Sequence, residues 1–252
     1  MSFDVAAEDY DRFMGRFSRP LAPVLADFAD VRPGQRALDV GCGPGALTGE
    51  LVRRLGARAV AAIDPSPPFV AAIAERFPGV EVTSATAEAL PHADGSFDRT
   101  VAQLVVHFMK DPVAGLTEMA RVTRPGGVVA ACVWDHAAGG GPLTDFYRGF
   151  AEVVPDLDTE SGLIGVREGD LVAVCQAAGL TDTVAEGLHI TVPFASFEEW
   201  WDPFTLGVGP AGAQLARLDP GQKEAVRERC RGILPTGPFE LTTTAWAVRA
   251  TV

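Results

Sequence analysis

Between residues 36 and 134 the chain alternates short apolar runs with segments whose apolar residues recur every three or four positions. The runs at 36–40, 59–63, 80–84, 97–106 and 128–134 have the length of strands. The second is too apolar for a surface hairpin and suits a sheet covered on both faces. The segment 45–55 places Leu47, Leu51 and Leu55 on one helical face, and 67–77 and 113–123 read as further helices. Arg124-Pro-Gly-Gly127 reads as a turn before the fifth strand. This alternation predicts right-handed βαβ units and an α/β, Rossmann-like doubly wound sheet, mainly parallel, with helices on both faces.

The flanks are less regular. Residues 1–17 read as a mobile or partly helical arm bearing Phe3, Tyr10, Phe13 and Phe17, and Ser18 as the cap of a helix over 20–29 that holds Pro20 in its first turn. After the flexible Gly139-Gly-Gly141 come helices over 143–153 and 168–178, the latter stopped by Gly179. A strand is predicted over 181–192, a helix opening at Phe197-Glu-Glu-Trp-Trp201, a glycine-rich loop over 207–212 and a charged helix over 222–234. The alternation in 240–249 predicts an antiparallel C-terminal edge strand. The expected organisation is a single domain, 1–252, with 1–30 as N-terminal arm and helix and 193–237 as a lid inserted over the sheet.

Composition narrows the partners. A net charge of −12 argues against a nucleic-acid backbone, and no apolar stretch is long enough to span a membrane. The polar, acidic start does not resemble a signal peptide, and four cysteines without a CxxC pair suit a reduced, cytoplasmic setting. Four histidines without metal-ligand spacing propose no metal site.

The candidate chemistry is concentrated in L38-D-V-G-C-G-P-G-A-L47. Gly41, Gly43 and Gly45 follow the first strand, where a doubly wound sheet binds ligands, and let backbone approach a cofactor closely. Asp64 ends the second strand, where a carboxylate can accept both hydroxyl hydrogens of a ribose. Capping the following helix is the structural alternative for Asp64. Gly41-x-Gly43-x-x-Ala46 also satisfies a dinucleotide fingerprint, so spacing alone does not separate NAD from another adenosine cofactor. Asp39 shifts the balance: a second carboxylate there opposes a pyrophosphate and suits a cofactor bearing an ammonium group. Tying down the glycine loop is its structural alternative.

These residues resemble the class I S-adenosylmethionine-dependent methyltransferases, in the broad bacterial small-molecule group. L38-D-V-G-C-G-P-G45 resembles the family's first motif and I63-D-P-S66 its ribose-holding strand end. A87-E-A-L-P91 with D94-G-S-F-D98 resembles the adenine segment, and R121-V-T-R-P-G-G127 the approach to the fifth strand. Y10-D-R-F-M-G-R-F-S18 and T243-T-A-W-A-V248 also fit the group, so the likeness runs from about residue 8 onward. It implies S-adenosyl-L-methionine as cofactor. Gly41, Gly43 and Gly45 would lie against its methionyl and ribose part, with Asp39 at the amino-acid end. Asp64 would take the ribose hydroxyls, lined by Pro65 and Ser66, and Ala87 would offer its N–H to the adenine. Thr86 stands where the family often has Asp, so that contact loses charge assistance. Gln103 and Leu104 would sit beside sulfonium and substrate, and Arg16 would reach the cofactor carboxylate if the arm folds over it.

Methyl transfer from a sulfonium needs alignment and water exclusion more than a strong base or a metal. His107, after the fourth strand, is the candidate catalytic base for a phenol or amine, with His136 a weaker one and His92 and His189 assigned to surface or sheet positions. Packing against Phe108 and Met109 is the plain alternative for His107. Trp134, Phe146, Tyr147, Trp200, Trp201 and Phe204 could line a pocket for a planar or hydrophobic acceptor, although core packing accounts for most of them. The partners expected are a small-molecule methyl acceptor and a second copy in a homodimer, with no nucleic acid and no membrane. Two other readings stay open: an NAD-dependent oxidoreductase, and a noncatalytic S-adenosylmethionine-binding regulatory protein, which the weakened contact at Thr86 keeps alive.

Overall fold

In a computed structural model, residues 7–154, 157 and 159–252 are described. Phe3 of the expected arm lies outside the described residues. The arm otherwise forms α1 (Ala7–Phe13) and then α2 (Gly15–Phe28). The βαβ half follows as β1 (Ala37–Val40), α3 (Ala46–Leu55), β2 (Val60–Asp64), α4 (Pro67–Arg76), β3 (Glu81–Ser84), β4 (Phe97–Gln103), α5 (Pro112–Val122) and β5 (Thr123–Trp134). The remainder is α6 (Thr144–Ala151), α7 (Asp170–Ala177), β6 (Thr183–Phe194), α8 (Phe197–Trp201), α9 (Gly209–Ala216), α10 (Pro220–Ile233) and β7 (Phe239–Thr251).

The strands form one sheet in the order β3-β2-β1-β4-β5-β7-β6. The pairings β3-β2, β2-β1, β1-β4 and β4-β5 are parallel, whereas β7 is antiparallel to both β5 and β6. All four residues of β1 and all five of β2 are buried, as strands covered on both faces require. Because successive side chains alternate faces, Ala37, Val101, Cys132 and Trp134 pack in the cluster that includes α2 and α3. Leu38, Ala102, Ala131 and Val133 pack with α5 and α7 on the other side.

Several expectations are corrected. Ser18 does not cap a helix: it is buried inside α2, which starts at Gly15 and carries Pro20 and Pro23 in its interior. Each proline removes an N–H from the helix ladder, but Phe17, Leu21 and Leu25 are all driven into the core and hold the helix on course. The β4 run stops at Gln103, because Leu104 turns to φ 63°. Arg124-Pro-Gly-Gly127 is a bulge within β5: pairing jumps from Phe97↔Thr123 to Arg99↔Val128, and the Gly126 N–H goes to Val252 C=O at 2.8 Å. Residues 209–212 of the expected glycine loop open α9, with Pro210 in its first turn. The C-terminal strand is interior, and β6 is the edge. Since β6 runs through Pro193 and Phe194, the segment over 193–237 leaves the sheet only after residue 194. The charged α10 begins in a capping box between Asp219 and Gln222. Among the described residues, no helix is long and apolar enough to cross a membrane.

Candidate functional site

The carboxyl ends of β1 and β4 meet where the strand order reverses, the position at which open α/β sheets hold ligands. At the end of β1 the N–H groups of Gly41 and Cys42 both donate to Ile63 C=O, at 2.8 and 2.9 Å, and turn the chain over the end of β2. Gly41, Gly43 and Gly45 have φ of 71°, 52° and 100°, the left-handed region that glycine enters without a Cβ penalty. Their surroundings differ. A Cβ on Gly41 would stand 2.6 Å from Val105, and one on Gly45 would stand 2.6 Å from Ile73 Cδ1. A Cβ on Gly43 would meet nothing within 4 Å. Two glycines therefore serve packing, and the middle one faces open space.

Asp64 closes that loop. Its Oδ2 accepts the Gly43 N–H at 2.9 Å and its Oδ1 the Ser66 N–H at 2.8 Å. Each carboxylate oxygen keeps a further lone pair. Burial raises this carboxyl above its usual range, against those two hydrogen bonds. Asp39 is deeper: Oδ2 accepts the Thr48 hydroxyl at 2.6 Å, and Oδ1 is buried with no partner. Burial pushes its carboxyl up to about 7, opposed by the Thr48 bond and reinforced by the charge of Asp64. Pro65 is exposed beside Asp64, Thr86 is exposed with its hydroxyl bonded to Glu88, and Ala87 is buried. Gln103 donates from Nε2 to Ser18 C=O at 2.8 Å, leaving a buried Oε1 unpartnered. A cradle with room at Gly43, an acceptor pair on Asp64 and an orphan oxygen on Asp39 fits a nucleoside cofactor with a cationic amino-acid end.

α1 roofs this cradle through contacts the sequence did not disclose. Asp11 accepts from Arg76 at 2.6 Å and Arg19 at 2.9 Å, and Arg76 also donates to Pro44 C=O at 2.8 Å. Tyr10 meets Phe69 edge-on at 5.5 Å. Arg16, expected at the cofactor, is held elsewhere. It donates to the Glu199 carboxylate and, at 3.3 Å, to the Glu199 C=O, with its guanidinium 4.8 Å over Phe194. A strong carboxylate partner on α8 outcompetes any reach toward the glycine loop in this conformation.

Beside the cradle lies a cavity of about 40 Å³ whose wall includes Tyr10, Phe13, Leu104, His107, Trp134 and Glu160. His107 sits in the short 3-10 turn after β4, buried, with Nδ1 unpartnered. Burial pushes it down to about 3, with His136 adding to the effect; His136 itself is pushed down to about 4 by burial, against the pull of Asp135. The two rings are 6.4 Å apart, and both are neutral at physiological pH. Leu104, also on this wall, holds a positive φ that a non-glycine residue rarely adopts, a strain typical of functional sites. Of the six aromatics expected at the acceptor, Trp134 reaches the cavity wall. Phe146 and Phe204 stack on each other at 4.2 Å within a buried cluster that includes Trp200 and Trp201. His92 is buried against Phe97, and His189 is exposed on β6.

The imidazoles make stability pH-dependent with a definite sign. Their folded pKa values lie below the unfolded value near 6.5, so the unfolded chain binds more protons and stability falls as pH drops through 6.5 toward 4. Each costs about 2 kcal/mol between pH 7 and 5. Asp39, raised to about 7, works oppositely in the same window and offsets about one of them. The urea midpoint is expected to fall between pH 7 and 5, and His107→Leu to remove much of that dependence. An equal pH dependence in the variant contradicts a neutral, buried His107.

Residues 38–131 match the family described as "Methyltransferase domain". An uncharacterised methyltransferase of Mycobacterium tuberculosis is 36% identical over 135 residues, covering 54% of this chain and 52% of that protein. The malonyl-[acyl-carrier protein] O-methyltransferase of Erwinia billingiae is 35% identical over 128 residues, 51% of this chain and 50% of that protein. The chain spans about half the length of the curated relatives it matches. A SAM-dependent methyltransferase structure from Thermotoga maritima shares the fold, with TM-score 0.53 and 17% identity over 97% of this chain and 98% of that one.

Proposed function

We propose, from the premise that this chain is a class I S-adenosylmethionine-dependent methyltransferase, that it methylates a small-molecule acceptor seated in the cavity after β4. The observation that carries this reading is the adjacency of two sites at one end of the sheet. Tyr10 links them: it forms part of the cavity wall and its ring meets Phe69 of α4, the helix that follows Asp64 and Ser66, edge-on at 5.5 Å.

In this reading Asp64 takes the ribose hydroxyls through its spare lone pairs, and the loop at Gly43 lies against the methionyl part. The orphan Oδ1 of Asp39 receives the ammonium group, whose positive charge favours the ionised carboxylate. Pro65, Ser66, Thr86 and Ala87 line the ribose and adenine side, with Gln103 and Leu104 between cofactor and acceptor. When bound, S-adenosylmethionine supplies a methyl group already activated as a sulfonium. The protein's part is to align the acceptor and exclude water, which α1 does by lying over the cradle. His107 contacts the acceptor; as a neutral imidazole it orients a hydrogen-bonding group, and burial makes it a weak proton acceptor. Calorimetry with S-adenosylmethionine, S-adenosylhomocysteine and NAD tests the cofactor assignment. Binding of the first two is expected, and selective binding of NAD overturns it.

A further inference from the structure

Thr48 sits wholly buried beside Asp39, itself only 1% exposed, and no step described so far uses it. The strands on either side of β1 present Ala62 and Val101 at the level of Asp39, so no polar group from the sheet answers its carboxylate there. α3 answers it instead. The Thr48 hydroxyl donates to Asp39 Oδ2 at 2.6 Å, and the Thr48 N–H adds a second bond from the same residue. Thr48 is the third residue of α3, where a backbone N–H has no partner within the helix and the helix end favours negative charge. With Oδ2 engaged, Oδ1 is the oxygen left buried and unpartnered. An orphan of that kind is costly unless something polar meets it.

The same contact opposes two forces that favour the protonated acid. Burial and the charge of Asp64 push the Asp39 carboxyl up, the two bonds from Thr48 pull it down, and the balance stands at about 7. The carboxyl is therefore poised in the neutral range. Its neighbours are not. Burial, with the charges of Asp39 and Asp64, holds Cys42 well above the usual thiol range, so it stays neutral. Asp64 is raised by burial but keeps its bonds from the Gly43 and Ser66 N–H groups. His107 and His136, pushed down to about 3 and about 4, carry no charge above pH 6.

We propose that Thr48 is a positioning residue for the cofactor: it ties Oδ2 of Asp39, leaves Oδ1 to receive the ammonium group, and sets the pH above which cofactor binds. The inference rests on the reading that Asp39 meets the amino-acid end of S-adenosylmethionine, and deepens it. Arrival of the ammonium group stabilises the ionised carboxylate, so the acid form of Asp39 gives its proton to solvent as the cofactor binds. Affinity then falls as pH drops through the range in which the free carboxyl takes up that proton. Replacing the hydroxyl with a methyl group removes one of the bonds that hold the charge, and moves the fall to higher pH.

The test is calorimetric titration with S-adenosylhomocysteine, which carries the same ammonium group, in buffers of different ionisation enthalpy. Wild-type affinity is expected to weaken about tenfold from pH 8 to pH 6, with most of one proton released per ligand at pH 6. Thr48→Val is expected to lose at least about threefold more affinity at pH 6 than at pH 8, and Thr48→Ser to restore the wild-type profile. Equal losses at both pH values would reduce Thr48 to a packing role and overturn the proposal. Asp39→Asn has no proton to release and is expected to bind weakly with a flat profile; an unchanged pH dependence in that variant would transfer the titration to another group, Asp64 first, and also overturn it. Should Thr48→Val fail to fold, the wild-type proton release and the Asp39→Asn profile still decide. Failure to bind S-adenosylhomocysteine at any pH defeats the cofactor reading itself, whereas tight binding without proton release defeats only the inference.

Discussion

Replacing Asp64 with alanine is expected to weaken S-adenosylhomocysteine binding by at least about a hundredfold. Two charge-assisted hydrogen bonds to ribose hydroxyls, at about 1.5–3 kcal/mol each, would be lost together, and each 1.4 kcal/mol is tenfold in affinity. The loop suffers as well, because Asp64 joins the Gly43 and Ser66 N–H groups from the two sides of the cleft. Without the carboxylate both donors lose their partner at the point where the cofactor should lie. Asp64→Asn separates the contributions. An amide has one acceptor oxygen, so it serves Gly43 or Ser66 but not both, and its NH2 faces a donor on the other side. Its affinity should lie nearer that of the alanine variant than of the wild type. Calorimetry measures the affinities, and a urea titration shows whether the variants remain folded. Wild-type affinity in a folded Asp64→Ala would remove Asp64 from the ribose role.

The half of the chain that builds this cradle was readable because each signal there is local. A strand buried on both faces is a continuous apolar run, and the glycines mark the turn with positive φ. The errors arose where distant residues decide. Ser18 and Pro20 read as the cap and first turn of a helix over 20–29, yet the buried faces of Phe17, Leu21 and Leu25 carry α2 from Gly15 through Pro20 and Pro23. Arg124-Pro-Gly-Gly127 has a turn's composition, and only pairing with β4 and the contact to Val252 makes it a bulge. The alternation in β7 reveals a strand but not whether β6 will cover its other side.

The site divides along the same line. Asp39 and Asp64 follow from their places at strand ends. The roof does not: Asp11 and Arg76 are 65 residues apart in sequence, and no local pattern pairs them. Glu160 stands in T159-E-S-G162 with no periodicity around it, and its burial, positive φ and place on the cavity wall are set by the fold around it. Arg16 shows the reverse failure. Its position near the arm was legible, but its partner, Glu199, lies 183 residues away on another helix.

Gly43 and Gly45 should respond to alanine in opposite ways, although two residues apart in one loop. At Gly43 the φ of 52° falls within the left-handed region that other residues can enter at about 1 kcal/mol. The new methyl group meets no protein atom within 4 Å. Gly43→Ala should therefore fold with little loss of stability, while its methyl occupies space beside Asp64 that the cofactor needs; affinity for S-adenosylhomocysteine should drop at least about tenfold. At Gly45 the φ of 100° lies beyond that region, and the methyl would stand 2.6 Å from Ile73 Cδ1 and 2.8 Å from Phe77 Cε2. Ile73 is fully buried, so its tip has little room to retreat. Backbone strain and overpacking together cost about 2–4 kcal/mol, a large share of the about 5–15 kcal/mol that holds a typical domain folded. Gly45→Ala should thus lower the urea midpoint markedly. A Gly43→Ala variant that binds like the wild type would show that the open space at the loop is not where the cofactor lies. An unshifted midpoint in Gly45→Ala would mean that α4 moves aside at little cost.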